Sequence, residues 1–184
     1  MSTDAADSAF PRLPPHEAEA LQRTWSDPPG IIGWLSSVNH KTVSLRFMIV
    51  TFGFFVAGGI LALVMRLQLA KPDNTLVKPD FYNQLFTMHG STMMFLFAVP
   101  VMQAVAMYLV PLMIGARSVA FPRMNAFAFW IFTFGGLMLY IAFFLDIGPD
   151  AGWFAYVPLA GPQYSPGKRI DFWAQMITFT ETAA

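Results

Sequence analysis

Three long uncharged stretches divide the chain, at residues 47–65, 81–116 and 124–145. Each approaches or exceeds the roughly 20 residues that a helix needs to cross a hydrocarbon core of about 30 Å. Because a backbone in lipid must satisfy its own hydrogen bonds, each stretch is predicted to be a transmembrane helix, the first extending over about 43–67. Buried core helices of a soluble protein are the alternative, and three such stretches in one short chain argue against it.

The second stretch is longer than a bilayer requires, because its residues would extend about 54 Å as one helix. Pro100, near the middle, lacks a backbone donor and frees the carbonyl of Leu96, which predicts a kink there. Pro111 and Gly115 indicate where the helix ends.

Residues 172–184 are again largely apolar but too few to cross a bilayer. They predict the start of a truncated fourth helix, and a short interfacial helix is the alternative that remains open. The predicted fold class is therefore an all-α integral membrane protein with three full transmembrane helices and the start of a fourth.

Residues 1–33 are polar and proline-rich, and are predicted to form a mostly irregular cytoplasmic extension with one helical turn at His16–Gln22. Their acidic residues and lack of an apolar run exclude a secretory signal, and they are not Arg-rich like a mitochondrial transit peptide, which favours a bacterial origin. Six Lys and Arg residues on the N-terminal side of the predicted membrane against five on the other side favour a cytoplasmic N-terminus.

Composition excludes several kinds of function. Eleven basic and eleven acidic residues leave no net charge, so there is no basic field for nucleic acid. The chain has no cysteine, which excludes disulfides and thiolate ligands.

His89 is the only histidine inside an uncharged stretch, about 12 Å along the second helix from Phe81. An ionisable group at that depth is costly and faces a bonding partner inside the bundle. Two hypotheses remain open here: a hydrogen bond to a neighbouring helix, or an axial ligand to haem iron. Gly90 and Ser91 are small enough for a flat ligand to approach the backbone.

Arg66 and Trp153 are predicted to lie on the side of the membrane from which His89 is reached. Arg66 ends the first helix, and its side chain either extends to lipid headgroups or reaches a cofactor at His89. Trp153 lies in the loop 146–171 after the third helix, where its indole either joins an interfacial aromatic belt or donates to an anion such as a haem propionate.

Several short motifs together are similar to subunit I of the cytochrome c oxidases, within the haem–copper terminal oxidase family. They are Asn39-His40-Lys41 before the first helix, TMHGSTMMF at 87–95, LVPLMIGA at 109–116, AFPRMN at 120–125, and Gly152-Trp153 with VPLA at 157–160. The resemblance covers roughly residues 34–184, the N-terminal part of that subunit.

This resemblance implies particular roles for three residues. His89 matches an axial ligand of the low-spin haem, Arg66 matches an arginine that contacts the formyl group of haem A, and Trp153 matches a tryptophan near the haem propionates. It implies a bacterial inner (plasma) membrane protein with a cytoplasmic N-terminus, and a parent subunit that also holds a high-spin haem and copper. The parent would work with oxidase subunits II and III, take electrons from cytochrome c, reduce oxygen and pump protons. A quinol oxidase would share these helices.

The chain departs from the family in two respects. Ser118 stands where the family has the aspartate of its proton entry, and Met107 replaces an accompanying asparagine, whereas Asn125 is retained. The remaining helices of the family, with the copper ligands, are not in this sequence, so this chain by itself is expected to be inactive in oxygen reduction. Two alternatives are a stand-alone membrane protein in which two copies share one haem through His89, and a non-functional truncated product.

The resemblance predicts that the native polypeptide is longer than this sequence. We expect intact-mass spectrometry of the protein isolated from its membrane to give a mass several times that of 184 residues. A mass equal to that of 184 residues would contradict the oxidase hypothesis for this chain and favour the two alternatives.

Overall fold

The computed structural model describes residues 14–26 and 29–184, and all regular secondary structure in these ranges is helical. The chain divides into two compact units, Met1–Ser37 and Val38–Ala184.

The first unit contains two helices, α1 at Pro15–Trp25 and α2 at Gly30–Ser36. The prediction of a single helical turn at His16–Gln22 was too short, since α1 has 11 residues. Glu17 in its first turn and Arg23 in its last turn both complement the helix dipole, which stabilises a longer helix than the prolines around it suggest.

The second unit is a bundle of membrane helices. In chain order it contains α3 (His40–Gln68), α4 (Pro79–Ser91), a π-helical segment (Thr92–Ala98), α5 (Val99–Met113), α6 (Pro122–Phe144) and α7 (Arg169–Ala183). Three continuous helical runs, 40–68, 79–113 and 122–144, are long and apolar enough to cross a membrane. The predicted fold class is therefore confirmed, and the bounds of these helices lie within three residues of the predicted ones.

Local sequence signals explain where these helices begin. The side chain of Asn39 caps α3, because its Oδ1 accepts a hydrogen bond from the backbone N–H of Lys41 at 3.1 Å. Pro79 and Pro122 occupy the first turns of α4 and α6, where a missing N–H costs nothing.

A π-helical segment lies just before Pro100, where the sequence predicts a kink. The N–H of Val99 donates to the carbonyl of Met94, five residues back. The wider turn accommodates the proline ring, which would otherwise press on the carbonyl four residues earlier. The run 79–113 therefore continues through the membrane as one helix with a local change of pitch.

α3 occupies the centre of the bundle and packs against α4, the π-helical segment, α5 and α6, while α6 also packs along α7. Aromatic rings fill the α3–α6 interface: Phe47 meets Phe129 edge-on at 5.3 Å between centroids, and Phe54 meets Phe132 edge-on at 5.9 Å. Edge-on pairs of this kind stabilise a contact beyond the area that they bury.

The approach of α3 to α6 depends on Gly136. A Cβ at this position would lie 2.9 Å from Cε2 of Phe54 and 3.2 Å from Cδ2 of Leu96. Small residues are common where membrane helices meet, because they let backbones and rings approach closely.

We expect Gly136→Ala to separate α6 from α3 and to lower the free energy of unfolding by about 1–3 kcal/mol, the usual cost of overpacking. Reversible unfolding of the chain in detergent micelles measures this change. Gly53→Ala is the matched control, because a Cβ at Gly53 meets nothing within 4 Å. Equal stability of the two variants would contradict this account of the interface.

Candidate functional site

His89 and Gly58 lie at the same depth in the bundle. α3 and α4 are neighbouring antiparallel helices joined by the loop 69–78; Gly58 precedes the end of α3 by ten residues and His89 follows the start of α4 by ten. Both are therefore about 15 Å from the loop end of the helix pair. Nδ1 of His89 lies 2.9 Å from the carbonyl oxygen of Gly58.

This hydrogen bond determines how the imidazole is presented. A carbonyl oxygen can only accept, so Nδ1 carries the proton and donates it, and Nε2 of a neutral ring keeps its lone pair. Within the described part of the chain, Nε2 makes no hydrogen bond, and the side chain is only half-buried. A ring nitrogen with this arrangement is suited to bind a metal ion, since ligating histidines usually donate their other N–H to a carbonyl or carboxylate.

The absence of a side chain at Gly58 allows this contact. A Cβ there would lie 3.1 Å from Sδ of Met93 and 3.2 Å from Cγ2 of Thr92, both at the start of the π-helical segment. Thr92 is in turn hydrogen-bonded to the hydroxyl of Tyr140 on α6, at 3.0 Å between the oxygens. The turn that follows His89 is therefore fixed from both α3 and α6.

The face of α4 opposite His89 is covered by the loop 145–168 and by α7. The backbone N–H of Gly152 donates to Oγ1 of Thr87 at 2.9 Å, and Nε1 of Trp173 donates to Oγ of Ser91 at 3.0 Å. A Cβ on Gly90 would lie 2.8 Å from Cβ of Trp153. The expectation that Gly90 and Ser91 leave room for a flat ligand is therefore wrong, because indole side chains occupy that space.

The structure brings one of the two other predicted site residues close to His89. Trp153 packs on Gly90, the residue after His89, and its ring centroid lies 6.2 Å from that of Phe95. Arg66 is exposed near the end of α3, about 12 Å along the helix and about 80° around it from Gly58. It makes no hydrogen bond or ion pair with a described residue.

A charged cluster links the loop end of α4 to the start of α7. Nη1 of Arg169 donates to Asp80 at 3.0 Å and to Asp150 at 2.5 Å, and its Nη2 donates to Asp80 at 3.2 Å. The hydrogen bonds to Asp80 and then Asp150 raise the pKa of the Arg169 guanidinium above its ordinary value, so the group is a permanent cation.

The two residues at which the chain departs from the family pattern, Ser118 and Met107, share one cavity with the retained Asn125. Met107, Ser118 and Asn125 line a space of about 450 Å³ between α5, the loop after it and α6, together with Gln103. The spacing of these residues in the sequence does not show this convergence, which arises because the chain reverses direction at residues 114–121.

Gly58 and Tyr140 were not predicted as site residues. The pair Gly58-Gly59 in the middle of a helix of large apolar residues was the signal available for the first, because small residues mark close helix contacts in membranes. For Tyr140 the sequence offered no signal beyond a polar group in an apolar stretch. Within the described ranges, no three His, Asp or Glu side chains are grouped to hold a metal ion, so His89 offers a single donor.

Comparison with known proteins shows the family to which the chain belongs. A model of the family "Cytochrome C and Quinol oxidase polypeptide I" matches residues 42–184. The chain belongs to this family.

Bacterial relatives support the assignment. Cytochrome c oxidase subunit 1 of Alkalihalophilus pseudofirmus is 48% identical over 140 residues, which cover 76% of this chain and 22% of that protein. The protein of the same name from Bacillus subtilis is 45% identical over 139 residues, 76% of this chain and 22% of the relative. That of Corynebacterium glutamicum is 40% identical over 167 residues, 89% of this chain and 29% of the relative. The chain thus spans about a quarter of the length of these family members.

We expect Gly58→Val to push the π-helical segment away from α3 and to weaken the hydrogen bond that holds Nδ1 of His89. In the chain labelled with ¹⁵N-histidine and reconstituted in lipid, the Nδ1 signal of His89 should shift and broaden as the second tautomer becomes populated. Gly59→Val is the matched control, since it makes the same change of helix propensity but a Cβ there meets nothing within 4 Å. Identical His89 spectra for both variants would show that Gly58 has no part in orienting the ring.

Proposed function

We propose that the chain is the N-terminal part of the catalytic subunit of a terminal respiratory oxidase, in which His89 is an axial ligand of the low-spin haem. The observation that carries this proposal is the hydrogen bond from Nδ1 of His89 to the carbonyl of Gly58, which leaves Nε2 available. Family membership identifies the class of cofactor, because the relatives are cytochrome c oxidase subunits.

His89 serves this role through its position and its protonation. The Gly58 carbonyl keeps the ring in the Nδ1–H tautomer and makes Nε2 a stronger donor to iron. Contacts of the following turn with α3 and α6 limit ring motion, so the ligand atom is held before the cofactor arrives. When bound, haem iron supplies a one-electron couple whose potential depends on its axial ligands and their hydrogen bonds.

Arg66 and Trp153 would act on the edges of the porphyrin. Arg66 has no ion pair with a described residue, so its guanidinium is available to the formyl group of haem A, the role that the family resemblance implies. Trp153 packs on Gly90, the residue after His89, and its indole N–H would donate to the haem propionates, the role that the family resemblance implies. Both assignments follow from the resemblance of these positions to the family.

The complete subunit would transfer electrons from cytochrome c to oxygen and pump protons. It would hold a high-spin haem and copper on helices beyond this sequence, and would assemble with oxidase subunits II and III in a bacterial plasma membrane. The chain spans about a quarter of the length of its relatives, which supports the proposal that further helices hold the other cofactors. The first helix would enter the membrane from the cytoplasmic side.

Protons would enter this oxidase by a route without the usual aspartate. The cavity beside α5 is lined by Ser118 and Met107, and neither side chain can carry a proton as a carboxylate does. We therefore expect the parent enzyme to take up protons elsewhere.

We expect His89→Ala in the full-length subunit to abolish the low-spin haem absorption band, because alanine cannot ligate iron. Reduced-minus-oxidised spectra of the purified protein measure the band. His16→Ala is the control, since that side chain is 80% exposed in the first unit and should leave the band unchanged. Retention of the band in His89→Ala would refute the assignment.

A further inference from the structure

We propose that Arg169 is a positioning residue for the site at His89. It holds the loop that carries Trp153 against the face of α4 that lies opposite His89. The mechanical part of this inference stands on the contacts alone, whereas its consequence for haem rests on the function proposed above.

Arg169 joins two carboxylates from different parts of the fold. Its guanidinium makes two hydrogen bonds to Asp80, in the first turn of α4, and one to Asp150, in the loop after α6. Such charge-assisted bonds are stronger than neutral ones, and the planar guanidinium also fixes the direction in which each carboxylate lies.

Burial makes the contact with Asp150 costly to lose. The side chain of Asp150 is 7% exposed and that of Arg169 17% exposed, whereas Asp80 is 64% exposed. A buried carboxylate without its cation is strongly unfavourable, while an exposed one is hydrated. Removing the guanidinium should therefore displace Asp150 toward water and leave Asp80 in place.

Asp150 is connected to both ends of the loop segment that covers α4. Its other oxygen accepts a hydrogen bond from the hydroxyl of Ser165, which is buried near the start of α7. Two residues after Asp150, the N–H of Gly152 donates to Thr87, and the next residue, Trp153, packs on Gly90. Displacing Asp150 should therefore break the Gly152 bond and free the indole.

The loop and α3 hold α4 from opposite sides. Thr87, which accepts from the loop, and His89, which donates to α3, are about 200° apart around the helix. Without the loop, this turn of α4 has lost its support on one side, and the bond from His89 to Gly58 should weaken as the turn moves. Arg169 thus acts on the imidazole through α4 and does not contact it.

The first test uses the chain in lipid nanodiscs without haem. We expect Arg169→Gln to raise amide hydrogen exchange in peptides covering residues 148–154 by about tenfold or more, because the Gly152 N–H loses its acceptor. The same variant should shift the ¹⁵N signal of Nδ1 of His89. Arg169→Lys, which keeps the charge but not the planar fork, should restore both readouts in part.

Two further variants provide a control for the lost charge and an alternative to the single variant if it does not fold. Lys168→Gln removes one positive charge at the neighbouring exposed position and should change neither readout. Asp150→Asn combined with Arg169→Gln leaves no buried carboxylate without a cation, so it serves where the single variant does not fold, and it should show the same loss of loop protection.

The outcomes separate the parts of the inference. Unchanged exchange in Arg169→Gln would overturn it, and so would faster exchange with an unchanged His89 signal, because the arginine would then hold only the loop. In the haem-loaded full-length protein, we expect a shift of the low-spin band in Arg169→Gln and none in Lys168→Gln. Failure of the proposed function would appear separately, as retention of that band in His89→Ala.

Discussion

Much of this bundle depends on the close approach of α3 and α4 at Gly58. Inside a bilayer there is little hydrophobic drive between helices, so contact depends on backbone proximity and on polar bonds between helices. The missing side chain at Gly58 provides the proximity, and its carbonyl provides the acceptor for His89. One glycine thereby places a half-buried imidazole, selects its tautomer and sets the spacing of two helices.

Two further polar groups close to His89, Ser91 and Thr92, follow the same logic. A polar group in the apolar region is costly if left unpaired, and each of these two forms a bond to a different element. Thr92 bonds to Tyr140 on α6, and Ser91 accepts from Trp173 on α7. Together with the bond from His89 to Gly58 on α3, these bonds mean that three other helices contact the junction of α4 and the π-helical segment. The π-helical segment itself begins three residues after His89, and such segments often occur at functional sites.

The proposed function rests on this junction and on the family. Members of the family include bacterial cytochrome c oxidase subunits, of which this chain spans about a quarter. That portion presents one ring nitrogen, Nε2 of His89, on a turn that three other helices contact, while a charged cluster lies at the loop end of α4. A site of this kind is precise because its ligand is carried by packed helices and not by a loop.

The sequence alone determined the helical class, the three spans and the candidate ligand. Uncharged runs of this length have no other stable form in lipid, and His89 was the only histidine at membrane depth. The motifs around it sufficed to indicate the family.

Only the tertiary structure decided which groups meet. The bond between His89 and Gly58 joins residues 31 apart, and the bonds of Arg169 to Asp80 join residues 89 apart, so no local pattern encodes either. The packing of Trp153 on Gly90 and the hydrogen bond from Trp173 to Ser91 were likewise unpredictable, because both depend on how a loop and α7 fold back over α4. Periodicity reports which face of a helix is buried, whereas the neighbour that buries it is set by the packing of the whole bundle.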